Sequence, residues 1–158
     1  MTNKLSLLFC LIFMGSVENS IAQSISNPQK RTIEAQVDSV FHDNIKAAER
    51  LDYDYLSRSV EDKYRAGFIV NGAYFARYDS LINNLKGRSQ RIAKQTITIR
   101  KQKITVLSES IVLLTAYGDT NVEVKDGNTF TANFFWSFVY EKTGNSWKVI
   151  QSHQSSLR

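Results

Sequence analysis

Residues 111–155, IVLLTAYGDTNVEVKDGNTFTANFFWSFVYEKTGNSWKVIQSHQS, decide the fold. The stretch reads as three strands, roughly Ile111 to Val124, Thr129 to Glu141 and Trp147 to Ser155, reversing at Asp126-Gly127 and Gly144-Asn145. Both dipeptides are favoured two-residue hairpin turns, because they supply the positive φ that a tight reversal demands. Three long strands joined by tight turns make an antiparallel meander.

Two-residue loops also set register, and register decides which side chains share a face. A turn at Gly144-Asn145 places Tyr140 opposite Val149, Phe138 opposite Gln151, Trp136 opposite His153 and Phe134 opposite Ser155. A turn at Asp126-Gly127 places Tyr117 opposite Trp136 and Asp119 opposite Phe134. One face is then expected to gather Tyr117, Asp119, Phe134, Trp136, Phe138, Gln151 and His153. Large aromatics supply burial and a few polar groups supply orientation, which is the make-up of a small-molecule cavity. The other face, with Ala116, Gly118, Phe135, Ser137 and Ser152, suits a covered surface or a sheet-to-sheet contact in a homodimer. A one-residue bulge in either hairpin would exchange the two assignments.

Upstream, Ile97 and Ile99, then Ile104 and Val106, alternate with polar residues and predict a further strand. Before that the period is helical. Tyr74, Tyr78, Leu81, Ile82 and Leu85 mark one helix face, with Gly87 placed as its C-terminal cap. Tyr64 to Val70 reads as a strand ending at the turn pair Asn71-Gly72, and Asp52 to Ser57 as a short helix. Asn27 is a good N-cap before Pro28, and Ile33, Val37, Val40, Phe41, Ile45, Ala48 and Leu51 recur at spacings of three and four. That predicts a long amphipathic helix running to about Arg50. Helices first and a meander afterwards is an α+β layout, with the helices on one face of a curved sheet.

Lys4, the apolar run from Leu5 to Val17 and the small residues of Ser20-Ile21-Ala22 read as a secretory signal, residues 1–22, cut after Ala22. The domain is then residues 23–158, of an exported protein that is periplasmic or secreted. The apolar run falls short of the roughly 20 residues a stable membrane span requires. The one cysteine, Cys10, lies within it and leaves with it, which excludes disulfides and thiol chemistry from the mature chain. With two histidines far apart and scattered acids, no metal site is expected. No cofactor motif and no Gly-x-Ser-x-Gly elbow occurs. The net charge is +5, and Lys86, Arg88, Arg91, Lys94, Arg100, Lys101 and Lys103 occur with no acid between Asp79 and Glu109. No aromatics interleave this run for base stacking, so it reads as the solvated side of a strand rather than a nucleic-acid surface.

Phe68-Ile69-Val70-Asn71-Gly72, Tyr78-Asp79-Ser80-Leu81 on a helix, and Trp147-Lys148-Val149-Ile150 leading to Ser152-His153-Gln154-Ser155 together resemble the SnoaL-like branch of the NTF2-like superfamily. In element order the resemblance covers nearly the whole mature chain. It implies an NTF2-like, cystatin-like cone: a long N-terminal helix and two short ones packed on a curved antiparallel sheet, with a cavity at the open end and often a dimer. Members include isomerases, cyclases, dehydratases and association domains, so the fold does not choose among functions.

Three functions are consistent with these residues. The first is a binding domain for a small apolar or amphipathic molecule, walled by Trp136, Phe134, Phe138, Gln151, Tyr64 and Phe68. The second is a cofactor-free acid–base enzyme, an isomerase, cyclase or dehydratase. There His153 would pair with Asp119 or Asp54, and the Tyr117 hydroxyl would stabilise an enolate. His153 also reads as a half-buried histidine pinning the last strand, and Asp54 as a charge complementing a helix dipole. The third is a homodimeric interaction module.

Overall fold

The computed structural model describes residues 25–157, so the expected signal segment lies outside the described residues. Helix α1 (Asn27–Glu49) starts from a capping box. Ser26 Oγ accepts from the Gln29 backbone, and the Gln29 side chain returns to the Ser26 backbone N–H. The cap is therefore Ser26 rather than Asn27, and Pro28 sits in the first turn, where no N–H is missed. Ile33, Val37, Phe41 and Ala47 are its buried residues. Leu51, at φ 58°, breaks the chain away from α1, and Asp52 caps α2 (Tyr53–Arg58) by accepting from the Tyr55 N–H at 2.9 Å.

The expected strand Tyr64 to Val70 contracts to β1 (Phe68–Val70). It reverses at Asn71-Gly72, both at positive φ (49° and 80°), into β2 (Ala73–Phe75), so that Tyr74 is a strand residue. Helix α3 (Tyr78–Ser89) includes Gly87, which is therefore not its cap. Its first turn is capped through space: Asp62 Oδ2 accepts from the Tyr78 N–H at 3.0 Å and from Arg77 Nε at 2.8 Å.

Strands β3 (Ile92–Val106), β4 (Ile111–Val124), β5 (Thr129–Thr143) and β6 (Ser146–Leu157) follow, and the sheet order is β2-β1-β6-β5-β4-β3. All pairings are antiparallel except β1 with β6, which is parallel. A helix and four strands separate β1 from β6, so no tight turn dictates its direction. Helix α1 lies along β3, tied by Glu49 to the Ile97 N–H at 2.8 Å and by side-chain bonds from Gln95 to Ala48 and from Gln102 to Asp38. The core packs Ile33, Val37, Phe41 and Leu81 of the helices against Val112, Leu114, Ala116, Phe134 and Tyr140 of the sheet.

The register differs from the two-turn expectation in both hairpins. Between β4 and β5 the loop has three residues. Gly127, at φ 87°, donates to Val124 O at 2.9 Å, and Val124 N–H donates to Asn128 O at 2.9 Å. This is a type I turn followed by a glycine bulge. Trp136 consequently faces Ala116, Tyr117 faces Phe135, and Asp119 faces Asn133. Between β5 and β6 the Gly144-Asn145 turn stands and Tyr140 does face Val149, but Ile150 bulges out. Beyond it Phe138 faces Ser152, Ser137 faces His153, Trp136 faces Gln154, and Phe134 faces Ser156. The expected single face is thus divided. Phe134, Trp136, Phe138 and Tyr140 look inward to the helices, whereas Tyr117, Asp119, Gln151 and His153 share the outer face.

Candidate functional site

Alternation along β5 builds one inner wall. Phe134 stacks on Trp136 with ring centroids 3.8 Å apart and planes 18° apart, and Trp136 meets Phe138 edge-on at 6.1 Å. Phe41 of α1 approaches Phe138 at 5.9 Å. Such tilted and edge-to-face arrangements follow from the ring quadrupole. Phe134 and Tyr140 are fully buried, whereas Trp136 and Phe138, on the same strand face, are half-buried. Gln154, opposite Trp136, is also half-buried and donates from Nε2 to Ser152 Oγ at 3.3 Å. Phe68 is buried beside them, its ring 5.0 Å from that of Tyr78.

Polar groups cluster in the interior. The Tyr140 hydroxyl lies beside the Asn44 side chain, and neither Tyr140 Oη nor Asn44 Oδ1 makes a well-formed hydrogen bond. Burial pushes the phenols of Tyr78 and Tyr140 far above the ordinary tyrosine range, the Asn44 contact offsetting this only in part for Tyr140. Both remain protonated near neutral pH and can donate but not abstract. The wall from Phe134 to Tyr140, with Gln154 and Ser152, offers aromatic surface and hydrogen-bonding groups and no side chain ionised near neutral pH.

The residues expected to do acid–base chemistry do not assemble. His153 is exposed on the outer face between Ser137 and Ile69. Among the described residues no carboxylate or phenol is hydrogen-bonded to it. Asp119 shares its row with Asn133 and Leu157, four residues along β6 from His153 and two strands across, and so is roughly 16 Å away. Its carboxylate accepts from Arg100 Nε at 2.6 Å. Asp54 is exposed on α2 and takes Lys86 at 3.2 Å. Tyr117 stands one row from His153, stacked on Phe135.

Two of the expected wall residues also lie elsewhere. Tyr64 is exposed and donates to Glu141 Oε1 at 2.6 Å, where Lys63 pairs with the same carboxylate at 2.8 Å. That bond raises the Lys63 pKa and lowers that of Glu141, so Tyr64 fastens a loop to β5. Gln151 is half-buried on the outer face opposite Val139. Of the expected wall, Trp136, Phe134, Phe138 and Phe68 do come together. Asn44 and Gln154 were not expected as interior polar groups; the adjacent apolar pair Val149-Ile150, which breaks the alternation of β6, is the sequence signal that marks the bulge placing Gln154 there.

Two open concavities are present, and the second also touches Trp136 from the outer side of β5. One of about 690 Å³ runs along the flank of α1 between Pro28 and Ser39, with Arg31 its only charged group. The other, about 530 Å³, is on the outer face and includes Lys101, Lys103, Tyr117, Phe135 and His153. Among the described residues no group of three or more His, Cys, Asp or Glu side chains is placed to hold a metal ion, and no helix is long and apolar enough to cross a membrane.

Comparison with known proteins follows the architecture. The sequence profile of the SnoaL-like domain matches residues 37–158. No curated protein matches the chain. Among solved structures, an NTF2-like superfamily protein from Salmonella enterica serovar Typhimurium superposes with a TM-score of 0.73 at 15% identity, over 82% of this chain and 94% of its own. The hexachlorocyclohexane dehydrochlorinase LinA-type3 from Novosphingobium barchaimii gives 0.71 at 12% identity, over 84% and 92%. A conserved protein from Planctomyces limnophilus gives 0.66 at 14%, over 80% and 98%. At these identities the likeness is one of fold.

Proposed function

The chain belongs to the SnoaL-like domain family, and from that membership we propose that it is an exported domain holding a small apolar or amphipathic molecule against the inner wall of its cone. The observation that carries this reading is the half-burial of Trp136 and Phe138. Two large aromatics on the helix-covered side of the sheet keep accessible surface between fully buried neighbours. Aromatic surface left incompletely buried is what an apolar ligand body covers. Gln154 and Ser152 lie across from it to orient a polar end. The absence of an ionised group from this wall, together with phenols held protonated, favours binding without proton abstraction.

A neutral apolar fluorophore, N-phenyl-1-naphthylamine, tests the reading. Saturable enhancement with a dissociation constant raised at least about tenfold by Trp136→Ala is expected, since an aromatic anchor in a site contributes about 2 kcal/mol or more. Non-saturable binding, or binding indifferent to that substitution, contradicts it. Export is read separately, by intact mass of the protein from its own compartment, which should begin at Gln23.

A further inference from the structure

The outer face of the sheet carries a second, independent assembly. Two neighbouring rows cross four strands there: Lys103, Thr115, Ser137 and His153 stand opposite one another in the first, and Lys101, Tyr117, Phe135 and Ser155 in the second. The first row is low in the middle, because Thr115 and Ser137 are small. Tyr117 and Phe135 rise beside it as a stacked pair, ring centroids 6.3 Å apart and planes 25° apart. The result is the trough of about 530 Å³, within the range of small-molecule sites.

Its charge is one-sided. Lys101 and Lys103 project from the same face of β3, about 7 Å apart along the strand. Among the described residues neither is in an ion pair, and Asp119, the acid on this face beyond Tyr117, is occupied by Arg100 at 2.6 Å. At the far end, three strand spacings or about 14 Å away, stands His153. We propose that this trough binds a small aromatic carboxylate, with its ring on the Tyr117–Phe135 pair and its carboxylate bracketed by Lys101 and Lys103 beside the Thr115 hydroxyl. Charge-assisted bonds from two ammonium groups next to an aromatic wall are stronger than the same bonds in open water. A second copy of the chain is the poorer occupant. Its outer face would return the same cations, and the acid of that face next to the trough, Asp119, is already held by Arg100.

The test is a ¹H–¹⁵N titration of the exported protein with 2-naphthoate, compared with the neutral 2-naphthalenemethanol. Saturable shifts at Thr115, Phe135 and Ser137 are expected, with the alcohol binding at least about tenfold more weakly. The double variant Lys101→Gln, Lys103→Gln should weaken naphthoate binding by a similar factor with its melting temperature unchanged. Both lysines are exposed, so folding does not depend on them. Equal binding of acid and alcohol overturns the inference, as does a lysine-pair variant that binds like the parent. Shifts confined to Phe41, Phe138 and Tyr140 also overturn it, by placing the ligand inside the cone. A concentration-dependent dimer weakened by Tyr117→Ala and indifferent to naphthoate assigns the trough to a second copy and overturns it as well.

Discussion

Phe134 fills the space that a side chain at Gly118 would occupy. A Cβ built on Gly118 would lie 2.8 Å from Phe134 Cζ and 1.9 Å from the carbonyl oxygen of Thr98. The register shift between Ile99 and Lys101 bulges β3 at Arg100 next to this point. Glycine thus lets two strands and a ring converge, and the ring so seated stacks on Trp136. Gly118→Ala should cost about 3 kcal/mol or more, the upper end for overpacking, because one clash is with backbone. The melting temperature should fall by roughly 10 °C. A calorimetric scan that finds no change contradicts this packing.

Alkaline pH should destabilise the fold through Tyr78 and Tyr140. Burial raises both phenols above their unfolded value near 10, so the stabilisation is complete below about pH 10. It is lost as pH rises from there toward the folded values, since the unfolded chain releases protons that the folded one keeps. With both groups contributing, the slope reaches about −2.7 kcal/mol per pH unit. Urea midpoints measured across about pH 9 to 11 give the slope, and phenolate absorbance should show both residues ionising only with unfolding. A flat profile contradicts their burial.

Asp62 caps a helix sixteen residues downstream in the chain. It accepts from the first N–H of α3 and from Arg77, while its side chain is only 14% exposed. Asp62→Ala should lower stability by about 1–2 kcal/mol, in the range of lost helix caps. Asp62→Asn, which keeps an acceptor, should stay within about 1 kcal/mol of the parent. Chemical denaturation of the two variants reads the difference; equal losses would show that the charge rather than the acceptor matters.

Much of this architecture is legible in local chemistry. The spacing of Ile33, Val37 and Phe41 marks α1 because a helix repeats its buried face every three or four residues, and all three are buried. The Gly144-Asn145 reversal is legible because glycine at the first turn position, here at φ 59°, suits a tight hairpin. Asp126-Gly127 is less decisive, since the same dipeptide serves a two-residue loop and a three-residue loop with a glycine bulge. That ambiguity and the Ile150 bulge each shift one hairpin by a residue. Each shift moves one strand's side chains across the sheet relative to its partner, which separates His153 and Tyr117 from Trp136. The caps and loop anchors at Asp62 and Tyr64 depend on partners 15 and 77 residues away, and no local pattern announces them.

Native mass spectrometry of the protein taken from its own compartment reads whether the inner aromatic wall holds a ligand. A retained mass that denaturation releases is expected, lost from Trp136→Ala and kept by the Lys101→Gln, Lys103→Gln variant. A parent protein that carries only its own mass, or a retained mass that survives Trp136→Ala and disappears with the lysines, would contradict it.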